Sequence, residues 1–214
     1  MKSVGVCKFC KKEISSRGMM RHIKSCRKRK QANEKQVNKS KIFLLRACIG
    51  QYFVYFEIPA AKTLGDVDSF LRKHWLECCG HLSAFKIDEQ SYSSYPQEEF
   101  RNKSMNKKLD EVISPGKKFS HEYDFGTTTY LELECVSQRY GNLKNIEILT
   151  RNNPLEIKCD YCEKQALKIC TECMWDQGGF LCKDCIKTHK CDEYMLLPVV
   201  NSPRMGMCGY TGQK

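Results

Sequence analysis

The residues with the most chemistry to offer come early, in CKFCKKEISSRGMMRHIKSCRKRK, residues 7 to 30. Here Cys7, Cys10, His22 and Cys26 follow the spacing C-x2-C-x11-H-x3-C. A C-x-x-C pair makes a turn whose two thiolates face one point, and a histidine and cysteine four residues apart share one face of a helix, so the four close a tetrahedron. About thirty residues cannot bury a core of their own, and a bound ion would supply the folding energy. A second cluster, C-x2-C-x7-C-x2-C-x8-C-x2-C-x3-H-x-C, uses Cys159, Cys162, Cys170, Cys173, Cys182, Cys185, His189 and Cys191. Eight donors serve two ions. Zinc is therefore the expected cofactor, with three ions in all, and each site is closed by protein ligands in the manner of structural and not hydrolytic zinc.

The chain holds fifteen cysteines, and most fall into these pairs with histidine nearby, which points to metal in a reducing interior and not to a disulfide lattice. Five remain: Cys48, Cys78, Cys79, Cys135 and Cys208. Three sit in apolar patterns and are most simply small core residues. Cys78-Cys79 beside His81 invites a thiol nucleophile or a further metal site, but a buried helix end is the simpler expectation, because no partner acid or oxyanion donor is apparent. His121, Glu122 and Asp124 can be drawn as an acid/base group. Strand alternation sends His121 away from Glu122 and Asp124, and Asp at a turn is common for backbone reasons, so no catalytic residue is assigned.

Charge divides the chain sharply. Residues 1 to 41 carry fourteen Lys/Arg against Glu13 and Glu34, a balance of +12, whereas the other 173 residues hold twenty-two against twenty-three, or −1. The positive excess thus belongs to the finger segment, where Arg17, Arg21, Lys24 and Lys28 recur at helical spacing as a basic stripe and CRKRK prolongs the helix with the further charge of Arg27, Arg29 and Lys30. Such a stripe suits the phosphate backbone of nucleic acid; a solvated face and an acidic protein partner are the alternatives. The opening MKSVGVCKFCKK is polar and cationic, and nowhere do eighteen apolar residues run together, so a cytoplasmic protein without a membrane segment is expected.

Composition divides the sequence near residues 41 and 155. The finger and its basic helix occupy 1–30 and a linker 31–41. A packed α+β domain at 42–150 follows, and 155–214 holds the double-zinc module and a C-terminal tail. Segments 42–49 and 52–58, rich in aromatic and β-branched residues and parted by Gly50-Gln51, predict a hairpin. Thr63 with Asp66 predicts a capped helix whose Leu64, Val67, Leu71, Trp75 and Cys78 lay one face on a sheet. Strands near 83–87, a brief helix near 106–113 and a long hairpin through KFSHEYDFGTTTYLELECVSQ complete the domain. The expected class is α+β, a central mixed sheet with one main helix, flanked by small zinc-stabilised modules.

Three resemblances refine this reading. The run from Phe43 to Val136, with WLECCGHLSAF at 75–85, PGKKF at 115–119 and EYDFGTTT at 122–129, resembles the Ri-plasmid open-reading-frame-three family, whose members are also labelled transposon-passenger or TnpR-like proteins. That resemblance covers about half the chain and implies an α+β domain associated with mobile elements. The closing LPVVNSPRMGMCGYTG at 197–212 also resembles full-length relatives. The second zinc cluster resembles the cross-braced B-box, which implies Cys159, Cys162, Cys182 and Cys185 on one ion and Cys170, Cys173, His189 and Cys191 on the other; a sequential pairing stays open. Modules of that kind mostly serve protein contacts. If the finger resembles the two-Cys, two-His finger that reads DNA, helix positions minus one, three and six fall on Ser15, Gly18 and Arg21. Only Arg21 offers a side chain able to grip guanine, so the expectation is non-specific backbone contact. A protein-interaction adaptor, or an enzyme acting on nucleic acid through the central domain, would be the other functions.

Overall fold

The structure is a computed structural model that describes residues 3–34, 40–176 and 178–212; the middle of the expected linker, 35–39, lies outside them. The finger is a short hairpin of β1 (Val4–Val6) and β2 (Glu13–Ser15) followed by α1 (Ser16–Ser25). The helix does not run on as the basic sequence predicts. Cys26 is extended (φ −61°, ψ 112°) and breaks the helix, and a second one, α2 (Arg27–Glu34), follows.

The central domain is built from β3 (Ser40–Ile49), β4 (Tyr52–Pro59), α3 (Leu64–Leu71), β5 (Ser83–Ile87), β6 (Gln90–Ser93), β7 (Lys103–Ser104), α4 (Leu109–Val112), β8 (Lys118–Tyr123), β9 (Thr129–Gly141) and β10 (Glu147–Arg151). Its eight strands form one mixed sheet in the order β10-β4-β3-β9-β8-β5-β6-β7, antiparallel except where β6 meets β7. The expected hairpins are present. Gly50, at φ 53°, allows the two-residue turn that sets Ile49 opposite Tyr52. Thr63 and Asp66 cap α3 reciprocally, the Asp66 amide donating to Thr63 Oγ1 at 3.2 Å and the Thr63 amide to Asp66 Oδ2 at 2.8 Å.

Both faces of the sheet are covered, each for a reason visible in strand alternation. On one, Phe56 of β4 meets Phe70 of α3 with ring centroids 4.4 Å apart. On the other, Phe53 and Tyr55 join Leu44, Cys48, Val136 and Leu149 in a cluster completed by Met19 and Ile23 of α1. The finger therefore shares its core with the sheet, and two further contacts fix it there. The Lys8 amide donates to Leu149 O at 2.8 Å, and Gly5 pairs with Asn152 so tightly that a Cβ on Gly5 would lie 2.4 Å from Arg151 O.

The described residues divide into two compact units. One joins residues 3–71 with 82–153, and the other joins 72–81 with 154–212. In the second, β11 (Lys168–Cys170) lies between β12 (Phe180–Leu181) and β13 (Leu196–Pro198), three very short strands among short 3-10 turns. So little regular structure needs another source of order.

Candidate metal centres

Among the described residues, four tetrads of cysteine and histidine each bring their donor atoms within 4.8 Å of one another. In the finger, the knuckle between β1 and β2 presents Cys7 and Cys10, closed by a hydrogen bond from the Cys7 amide to Lys12 O at 3.0 Å and by Lys11 in the left-handed region at φ 61°. The last turn of α1 and the bend after it present His22 and Cys26, and His22 Nε2 lies 3.3 Å from Cys10 Sγ. All four predicted ligands come together, two of them, Cys7 and Cys26, buried.

In the second unit the pairing is interleaved and not sequential. Cys159 and Cys162 meet Cys182 and Cys185, with Cys162 Sγ 3.6 Å from Cys182 Sγ and 3.9 Å from Cys185 Sγ. Cys170 and Cys173 meet His189 and Cys191, with Cys173 Sγ 3.6 Å from Cys191 Sγ and 3.8 Å from His189 Nε2. These separations fit one ion per tetrad. Zinc–sulfur bonds of about 2.3 Å and zinc–nitrogen bonds of about 2.0 Å at tetrahedral angles put neighbouring donors roughly 3.5–3.8 Å apart, whereas a disulfide needs about 2.05 Å. None of the fifteen cysteines is in a disulfide.

Local electrostatics agree with that use. The backbone amide of Cys185 and its neighbour Asp184 aim at Cys182 and pull its thiol down to about 7. Burial opposes charge on Cys170, yet the Cys173 amide and His189 hold it at about 7 as well. Without a cation the remaining sulfurs cannot all ionise. Cys185 is pushed up to about 12, chiefly by Cys159, and Cys191 to about 12, chiefly by Cys173, each neighbour competing for the same charge. A divalent ion at the centre removes this conflict.

A fourth tetrad stands beside the three expected, and it corrects the expectation of a buried helix end at Cys78-Cys79. Cys78, Cys79 and His81 converge with Cys208, and Cys79 and Cys208 are exposed. A C-C-x-H run was its only local trace in the sequence: Cys208, expected in the core from its apolar pattern, lies 129 residues beyond Cys79 and is exposed.

No protein-family model and no curated protein matches the chain. Among solved structures it is similar to MM3350, a protein of unknown function from Methanosarcina mazei Go1, at 14% identity and a TM-score of 0.45, over 52% of this chain and 68% of that one.

The remaining sequence candidates separate clearly. Cys48 and Cys135 are buried core residues, as their patterns predict. His121 is fully buried against Phe85, with Nε2 2.7 Å from Asp68 Oδ1, the same oxygen that accepts from Ser83 Oγ at 2.7 Å. Serine and histidine thus meet at the same carboxylate oxygen. Asp124, left-handed at φ 65°, accepts from the Gly126 amide and shapes the turn. Of the basic stripe, Arg17, Arg21, Lys24, Arg27, Lys28 and Lys30 are exposed. Arg29 is not. Its guanidinium donates to Ile23 O at 3.0 Å and to Glu57 Oε1 at 2.5 Å, and Arg139 donates to both oxygens of the same buried Glu57. The break at Cys26 turns this one cation inward, which a run of RKRK cannot reveal. Among the described residues, no helix is long and apolar enough to cross a membrane.

Proposed function

We propose that the protein is a zinc-organised member of the mobile-element-associated family it resembles, and that its finger grips the phosphate backbone of nucleic acid without reading sequence. The tetrads supply the donor chemistry, three thiolates with one imidazole or four thiolates, that selects zinc over the oxygen-seeking calcium and magnesium. The observation that carries the nucleic-acid reading is the division of the finger's surface. Met19 and Ile23 are spent on the sheet, while six cations, Arg17, Arg21, Lys24, Arg27, Lys28 and Lys30, remain exposed, and α1 carries no acid to neutralise them. An array of this kind would release counterions from a polyanion.

The test is a salt series with unrelated duplexes, comparing the protein with a variant in which Arg17, Arg21, Lys24 and Lys28 are all glutamine. The substituted side chains are exposed, so the finger should stay folded and loaded. The log–log salt slope should flatten by about 0.9 for each duplex phosphate that the variant no longer neutralises. Equal affinity and slope in the two proteins would remove the finger from the mechanism.

A second reading, a protein-interaction adaptor, is favoured by the exposed aromatic residues of the second unit. Tyr161 is 60% exposed, Trp175 62% and Tyr194 73%, and aromatic side chains of this kind are enriched at binding surfaces.

A further inference from the structure

We propose that Cys78, Cys79, His81 and Cys208 form a fourth zinc centre, a clasp that fastens the C-terminal tail to residues 72–81 and is the first of the four to yield its ion. The donor geometry comes first. Cys79 Sγ lies 3.0 Å from His81 Nε2 and 3.4 Å from Cys208 Sγ, His81 Nε2 lies 3.2 Å from Cys208 Sγ, and Cys78 Sγ is 3.9 Å from Cys79 Sγ. Exposed thiols and an imidazole have no hydrophobic reason to converge, so the burial that explains Cys48 and Cys135 cannot explain this cluster.

The backbone that delivers these donors is built in detail. After α3 the chain widens into a π-helical turn, Arg72–Leu76, whose last bond runs from the Glu77 amide to Arg72 O at 2.9 Å. Such turns are rare and recur at functional sites. Arg72 then braces the bend, pairing with Glu77 at 2.9 Å and donating to His81 O at 2.5 Å, while the Gly80 amide reaches Glu77 Oε1 at 2.5 Å. Gly80, at φ 83°, lets the chain reverse between Cys79 and His81.

The tail arrives just as firmly. Ser202 Oγ donates to Trp75 O at 2.6 Å and accepts from the Arg204 amide at 2.9 Å. Gly206 passes so close to Met174 and Ile169 that a Cβ there would lie 2.9 Å from Met174 Sδ. Arg204 is fully buried, and its Nη2 lies 3.8 Å from Cys78 Sγ. A guanidinium directed at a metal-bound thiolate orients the ligand and offsets the −1 charge of a three-cysteine, one-histidine zinc site. Four protein donors leave no open position, so the centre is structural. Its exposure sets it apart. Each of the other tetrads contains at least one buried cysteine, whereas this one contains none.

The clasp stands independently of the nucleic-acid reading, and counting metal tests it. Native mass spectrometry of the full chain should find four zinc ions, and three in Cys208→Ser and in His81→Ala. A chromogenic chelator such as 4-(2-pyridylazo)resorcinol should take one equivalent in a fast phase that both variants lack. Trypsin should cut at Arg204 in the variants under conditions that spare the parent. Three ions in the parent protein, with Cys79 and Cys208 alkylated by iodoacetamide under native conditions, would overturn the proposal. So would four ions in both variants.

Discussion

Replacing Glu57 by glutamine should loosen the finger's second helix from the sheet. Glu57 is fully buried on β4 and accepts from Arg29 at 2.5 Å and from Arg139 at 2.8 and 2.5 Å, so one carboxylate is shared by two guanidiniums with side chains only 10% and 16% exposed. Glutamine keeps the shape and removes the charge, leaving both cations in a poorly solvated place. Breaking a buried pair in this way costs about 3–5 kcal/mol, a large share of the roughly 5–15 kcal/mol that holds a domain together. At about 2–4 °C per kcal/mol for a unit of this size, the melting temperature should fall by roughly 6–20 °C. Burial alone would raise the Glu57 carboxyl pKa, but Arg139 and Arg29 outweigh it and hold the group below its usual 4.5. A depressed carboxyl stabilises the fold above its unfolded pKa and loses that contribution as the pH falls through the folded one. The difference between parent and variant in urea unfolding should therefore be constant above about pH 4.5 and shrink below it. Comparing the two proteins at each pH cancels the release of zinc by acid, which is common to both. A difference under about 1 kcal/mol at neutral pH would refute the account of the triad as a buried latch. Replacing Glu57, Arg29 and Arg139 together by apolar residues should restore most of the loss.

Other perturbations probe the same physics elsewhere. Met19→Ala should destabilise the sheet itself by about 2–5 kcal/mol, because Met19 is fully buried among Leu44, Tyr55 and Val136; amide exchange in β3 and β4 reads the effect, and unchanged protection there would mean a finger that folds alone. Gly5→Ala should cost about 1–3 kcal/mol in thermal unfolding, since the new Cβ meets the Arg151 carbonyl oxygen. Cys135 should resist iodoacetamide until the protein unfolds, because burial closes access to it and pushes its thiol up to about 12; modification of the native protein at the rate of an exposed cysteine would contradict this. Excess EDTA should unfold the second unit, seen as loss of dispersed amide resonances from residues 154–212, because three strands of three, two and three residues cannot hold it without metal.

What the sequence disclosed follows from the range of each signal. Ligands within one knuckle or one helix turn are fixed by local spacing, so Cys7, Cys10, His22 and Cys26 were legible, as were the Gly50 turn and the Thr63 cap. The interleaved pairing of the second cluster was legible only through resemblance, since spacing alone allows a sequential one. The fourth tetrad depends on Cys208 folding back across 129 residues to Cys79, and no local pattern records that return. Arg29 is chemically identical to Arg27 in RKRK, and what singles it out is a carboxylate 28 residues away on another element. Met19 and Ile23 likewise form a stripe that would serve a free finger or a docked one equally well.

On the proposed nucleic-acid reading, docking also limits how the finger would engage a duplex. A helix that reads bases must enter a major groove about 12 Å wide and 8.5 Å deep, and a helix with its side chains is about 10–12 Å across, so the groove walls take up nearly its whole girth. The flank of α1 carrying Met19 and Ile23 lies on an eight-stranded sheet, and the segment after it is latched through Arg29 to Glu57. Deep insertion would bring β3 and β4 against the phosphate walls. Contact from outside the groove needs no such clearance, and Arg17, Arg21, Lys24 and Lys28 have the length and charge to reach phosphates from there. With Gly18 at the position that would reach a base, the docked finger is better suited to holding a polyanion than to choosing a sequence.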